Sequence, residues 1–172
     1  MGKFTAYKVE LASLPDGKYE QDFVCDTEFF KNMEHTGINK ADVKVHMDLV
    51  KKNDAYDCKF HCTGVVTVPC DRCLDPLDID VDTDYHIIVK YGEEFDDESD
   101  DLLIIPYSNT NLNVAYMLYD TILLTIPLRH VHPLGKCNRA MAQALNKHRA
   151  NIDDEAEDVL EEAEYDSAND DE

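Results

Sequence analysis

The segment Val68-Pro69-Cys70-Asp71-Arg72-Cys73-Leu74-Asp75-Pro76 holds the residue types best suited to chemistry. Two cysteines three positions apart on a tight turn can both point at one tetrahedral Zn²⁺, which then asks for two further nitrogen or sulfur ligands. Candidates stand in a distant run, Pro127-Leu128-Arg129-His130-Val131-His132-Pro133-Leu134-Gly135-Lys136-Cys137. Cys137 is the natural third ligand, with His132 or His130 as the fourth, and Pro133 and Gly135 let that loop fold around an ion. The expected metal set is therefore Cys70, Cys73, His132 and Cys137, holding a structural zinc. The competing reading is that these thiols only pack, since a free cysteine behaves as a small hydrophobe.

A thiol redox role for the same pair fits less well. A thioredoxin-type cysteine gains acidity from a helix N-terminus and positive neighbours. Here Pro76 and an alternating strand pattern follow, and Asp71 and Asp75 oppose a thiolate. A metal-dependent or redox enzyme centred on Cys70, Cys73, His132 and Cys137 stands as the alternative to a non-enzymatic role. Nucleophilic hydrolysis has no anchor, because Ser13, Ser99, Ser108 and Ser167 are the only serines and none sits in a glycine-rich elbow. None of the six glycines falls in G-x-G spacing, so no phosphate-cradling loop is expected. Cys58 and Cys62 sit on one face of a strand pattern, where sheet packing explains them.

The elements that must position these residues read as strands first and helices later. Phe4, Ala6 and Lys8 alternate with Thr5, Tyr7 and Val9, and Leu14-Pro15-Asp16-Gly17 supplies a turn before Tyr19–Cys25, which predicts a hairpin. Asp26 or Thr27 is placed to cap a short helix through Phe29, Phe30 and Met33 that ends at Gly37. Val43, Val45, Met47 and Leu49 alternate with polar residues, as do Tyr56, Cys58, Phe60 and Cys62, so the two runs are expected to pair antiparallel. Val65–Val68 extends that ribbon into the cysteine turn, and Leu77, Ile79, Val81, Tyr85, Ile87 and Val89 form a long, half-exposed strand after it. The acidic run Glu93–Asp101 predicts an exposed loop. Asn111 or Asn113 can cap a helix from Val114 to Ile126 with Asp120 as its only charge, and Pro127 stops it. A last helix runs from Asn138 to about His148. The fold class is α+β: an antiparallel β-rich domain over residues 1–148 with a buried helix and a C-terminal helix.

With 172 residues, the chain allows one domain plus a tail. Its 37 acidic and 16 basic residues give a formal charge of −21, unfavourable to polyanionic ligands. Residues 149–172 hold twelve Asp or Glu against one Arg, a net of −11, with Val159, Leu160 and Tyr165 as the sizeable apolar residues beyond Asp153. An acidic, disordered tail is expected there. Nothing approaches the ~18 apolar residues of a membrane span, and the first twenty residues lack a signal peptide's apolar core. The expected location is cytoplasmic, where six cysteines point to metal binding or buried thiols rather than disulfides.

The run Val66–Leu77 with its C-D-R-C-L-D-P, the helical segment ending Leu123-Leu124-Thr125-Ile126-Pro127, and then His132 and Cys137 resemble the YceD-like family of large ribosomal RNA subunit accumulation proteins. The matching motifs span about residues 60–137, and the positions that match are Cys70, Arg72, Cys73, Pro127, His132 and Cys137. Leu74 stands where some members have glycine. The resemblance implies a small cytoplasmic protein without enzymatic activity that supports accumulation of 23S ribosomal RNA and hence assembly of the large ribosomal subunit. Because the charge of −21 repels phosphate, extensive direct contact with ribosomal RNA is disfavoured. The expected partner is a basic ribosomal protein or the large-subunit precursor particle. The local cationic concentration around Arg129, His130, Lys136 and Arg139, together with Arg72 in the cysteine turn, supplies the expected partner-binding residues.

Overall fold

Alternation of apolar and polar residues builds the main sheet. A computed structural model of the chain describes residues 4–34, 37–99, 101–133 and 135–148. Three long strands dominate it: β3 (Lys40–Lys52), β4 (Ala55–Pro69) and β5 (Pro76–Gly92), preceded by β2 (Gly17–Asp26). They pair antiparallel in the order β2-β3-β4-β5, and the predicted β3–β4 hairpin closes with Lys52 opposite Ala55 around Asn53, whose φ is 54°. One face carries Phe23, Cys25, Val43, Val45, Met47, Leu49, Phe60, Cys62 and Val89 into the core, while Lys44, His46, His61 and Asp84 point to solvent. A side-chain period of two fixes this register, since a one-residue slip would turn every apolar side chain outward.

Asp26 caps α1 (Thr27–Asn32) as expected, its carboxylate accepting from the Phe29 amide at 2.8 Å. Two pairings differ from the sequence reading. Residues Thr5–Tyr7 form a 3₁₀ turn, and the short β1 (Lys8–Glu10) pairs with β8 (Asn111–Asn113) instead of with β2. The acidic run is only partly loop: Asp96–Ser99 forms β6, which lies at the sheet edge against β7 (Leu102–Pro106) with an irregular register. Backbone pairing needs no apolar side chains, so an exposed acidic segment can still add as an edge strand. β7 in turn runs parallel to β5 from Ile88 to Gly92.

The predicted buried helix is α2 (Ala115–Thr125). Asn113 accepts from the Ala115 amide at 3.1 Å, one of the two capping candidates. Leu118 and Ile122 are fully buried, each worth about 2 kcal/mol of transfer free energy, and they pin α2 so that the chain beyond Pro127 is delivered to the cysteine turn. Tyr116 and Leu124 remain exposed on the opposite side of the helix.

The chain divides into two compact units, Met1–His132 and Pro133–Glu172. Within the second, α3 (Arg139–Lys147) starts where Asn138 accepts from the Ala140 amide at 3.0 Å. The expected acidic tail, residues 149–172, lies outside the described residues. No helix among the described residues is long and apolar enough to cross a membrane.

Candidate metal centre

β4 ends at Pro69 and β5 begins at Pro76, and these two residues face each other across the ladder. The six residues between them must reverse the chain. They do so through a Leu74 N–H to Cys70 C=O bond and a Cys70 N–H to Asp75 C=O bond, both 2.9 Å, with Leu74 in the left-handed region at φ 63°. Glycine takes that conformation without strain and leucine does not, so Leu74 holds the turn at a conformational cost.

The segment following α2 is tied to this turn along its length. The Asp71 N–H donates to the His130 carbonyl at 2.9 Å, and the His130 N–H donates to the Asp71 carboxylate at 2.7 Å. The Arg72 guanidinium donates to the His132 carbonyl at 2.8 Å, and its Nε is buried with no hydrogen-bond partner among the described residues. Arg72 therefore clamps the turn to residue 132. These contacts set the imidazole of His132 beside the two thiols.

The sulfurs of Cys70 and Cys73 and a ring nitrogen of His132 lie within 4.8 Å of one another. The Cys73 Sγ to His132 Nδ1 distance is 3.4 Å, close to the ~3.5 Å that separates sulfur and nitrogen on a tetrahedral Zn²⁺. On its other side the His132 Nε2 is 3.1 Å from the Pro76 carbonyl. A carbonyl only accepts, so that bond places a proton on Nε2 and turns Nδ1 toward the thiols, the arrangement by which an outer hydrogen bond orients a metal-ligating histidine.

Cys70 has a strongly acidified thiol. Burial opposes its ionisation, but backbone N–H groups of Arg72, Cys73 and His132 and the Cys73 thiol turn toward the sulfur and bring its pKa down to about 5. His132 is raised above its ordinary value, first by its hydrogen bond to Cys70. Thiolate and nitrogen ligands held together are the donors that zinc selects. Cys70, Cys73 and His132 thus fit a metal ion.

The competing ligand His130 is occupied: its Nε2 faces the Asp71 carboxylate at 3.3 Å and its Nδ1 faces the Pro127 carbonyl at 3.1 Å. Cys137 belongs to the second unit and is half-buried. Of the expected partner-binding residues, Arg72 is half-buried within the site, Arg129 is exposed, and Lys136 and Arg139 are exposed in the second unit. Sequence reasoning missed Asp71, which reads as an obstacle to a thiolate but serves as the brace for His130. It also missed the Pro76 carbonyl, a backbone group that no side-chain pattern reveals.

A family model described as "Large ribosomal RNA subunit accumulation protein YceD" matches residues 58–169, well over half of the chain. The chain belongs to the YceD family. The YceD match begins within β4 and takes in the cysteine turn, α2 and the His132 segment, so the family region and the candidate metal centre coincide. Searches of the curated proteins and of the solved structures gave no match.

Proposed function

We propose that this YceD-family chain is a non-enzymatic ribosome biogenesis factor of the cytoplasm, supporting accumulation of 23S ribosomal RNA and assembly of the large ribosomal subunit. The observation that carries the reading is the family match over residues 58–169, whose description names accumulation of large-subunit ribosomal RNA. Its contact is with a basic ribosomal protein or the precursor particle rather than with naked RNA, because a formal charge of −21 repels phosphate at long range. Arg72, Arg129, His130, Lys136 and Arg139 are the cationic residues that this reading assigns to the particle contact, Arg129, Lys136 and Arg139 being exposed.

The centre is structural in this reading. Cys70, Cys73 and His132 bind zinc and Cys137 completes the tetrahedron. The five-residue step from His132 to Cys137 spans up to ~17 Å of extended chain, ample for the same ion. When bound, the ion cross-links the β4–β5 turn to the segment after α2. A redox enzyme would need an attacking sulfur that solvent can reach, whereas Cys70 and Cys73 are 0% and 2% exposed.

Affinity purification of the tagged protein from cells, with identification of bound proteins and RNA, tests the partner. Enrichment of large-subunit proteins and 23S precursors is the expected result. Recovery of neither would contradict the reading.

A further inference from the structure

β5 is paired with β4 on one side from Pro76 opposite Pro69 to Lys90 opposite Ala55. On the other side it meets β7 only from Ile88 to Gly92. Among the described residues no strand pairs with Leu77–Asp84 on that edge, a run of about 27 Å at the rise of a strand. An edge of this length presents unpaired backbone N–H and C=O groups to any chain that can lie beside it.

What borders the edge selects the chain that fits. α2 packs against β5, and the groove between them, about 600 Å³, is lined by Asp80, Asp82 and Asp84 on the sheet side and by Met117, Asp120 and Leu124 on the helix. Leu124 is 86% exposed, so the helix offers an apolar wall that nothing among the described residues covers. On the solvent face of β5, Asp78, Asp80, Asp82 and Asp84 recur at every second residue. Asp78 accepts from the Thr67 hydroxyl at 2.7 Å and Asp84 pairs with His61 at 2.8 Å, whereas Asp80 and Asp82 have no hydrogen bond or ion pair among the described residues.

We propose that this edge is a docking site for an extended, basic protein segment that adds to β5 as a strand. Alternate side chains of such a segment point to opposite faces. Its apolar residues meet Met117 and Leu124, and its Lys or Arg residues fall beside the aspartates, which repeat with the same period of two. This inference rests on the proposed partnership with a basic ribosomal protein and assigns the surface that makes it. Charge opposes the other occupants: a second copy would set one aspartate row against another, residues 149–172 carry a net −11, and a nucleic acid brings phosphates.

The test titrates the purified full-length protein with a synthetic peptide of about ten residues alternating lysine and valine, followed by amide hydrogen exchange. Expected are slowed exchange confined to the β5 edge around Leu77–Asp84, binding about tenfold weaker for a peptide N-methylated on the pairing amides, and comparable weakening in Asp80→Lys/Asp82→Lys protein of unchanged Tm. Binding that protects no β5 amide, or that ignores N-methylation, overturns the proposal, as does protection of the same amides by an RNA oligonucleotide or by self-association. Co-sedimentation with large-subunit precursors separates the two levels. If wild type and the double variant co-sediment equally, the edge assignment fails alone; if wild type does not co-sediment, the functional reading fails.

Discussion

The Sγ of Cys73 and the Nδ1 of His132, 59 residues apart in the chain, lie 3.4 Å from each other. Nothing local brings them together. The β4–β5 turn fixes the thiol, the burial of α2 fixes the start of the segment that carries the imidazole, and Arg72 and Asp71 tie the two.

Zinc is therefore expected at one ion per chain in protein purified without chelator. Cys73→Ser is expected to abolish it and to lower Tm by about 10 °C, since metal-binding free energy at a structural site is folding free energy. Elemental analysis with thermal melts checks both. Zinc content unchanged by Cys73→Ser, or by Cys137→Ser, would remove the ligand assignment.

Leu74→Gly is expected to raise stability by about 0.5–1 kcal/mol. Relief of the left-handed leucine at φ 63° outweighs the extra backbone entropy of glycine, and the leucine side chain, 66% exposed, gives up little burial. Urea unfolding of the two proteins measures it, and a destabilised variant would show that the side chain makes a needed contact.

Gly64 lies opposite Val43, where a Cβ would overlap the Asp42 carbonyl oxygen and approach the Val43 Cα to 2.7 Å. Gly64→Ala must push β3 away from β4, at an expected cost of about 3 kcal/mol in the unfolding free energy measured with urea. A cost below about 1 kcal/mol would mean that the strands separate there without resistance.

Burial pushes the thiols of Cys25 and Cys58 up to about 12 and that of Cys62 up to about 11. Unfolded cysteine ionises near pH ~8.5, so above that pH the unfolded chain releases protons that the folded one keeps. Stability is expected to fall as pH rises from there. Urea midpoints at mildly alkaline and strongly alkaline pH should drop for the wild type and drop less steeply for Cys58→Ala. An identical slope in the variant would exclude Cys58 from the effect.

The long strands were legible because each buries one face, so period two is written directly into Val43–Leu49 and Tyr56–Cys62. The partner of β1 was not, because Lys8–Glu10 meets Asn111–Asn113 a hundred residues away through backbone bonds that leave no mark on composition. The same holds for β6, whose acidic residues gave no apolar signal, and for the parallel β5–β7 pairing. At the site, spacing disclosed the cysteine turn but could not choose between His130 and His132. That choice depends on Asp71 and on the Pro76 carbonyl, which become neighbours only in the folded chain.

In the proposed function, large ribosomal subunits form normally only where this YceD-family chain is present. Sucrose-gradient profiles of cells lacking the protein, with gels of mature 23S and 16S ribosomal RNA, test it most directly. A deficit of large relative to small subunits and of mature 23S RNA, restored by the wild-type gene, is the expected result. Normal subunit ratios and normal 23S RNA at both standard and low growth temperature would contradict it.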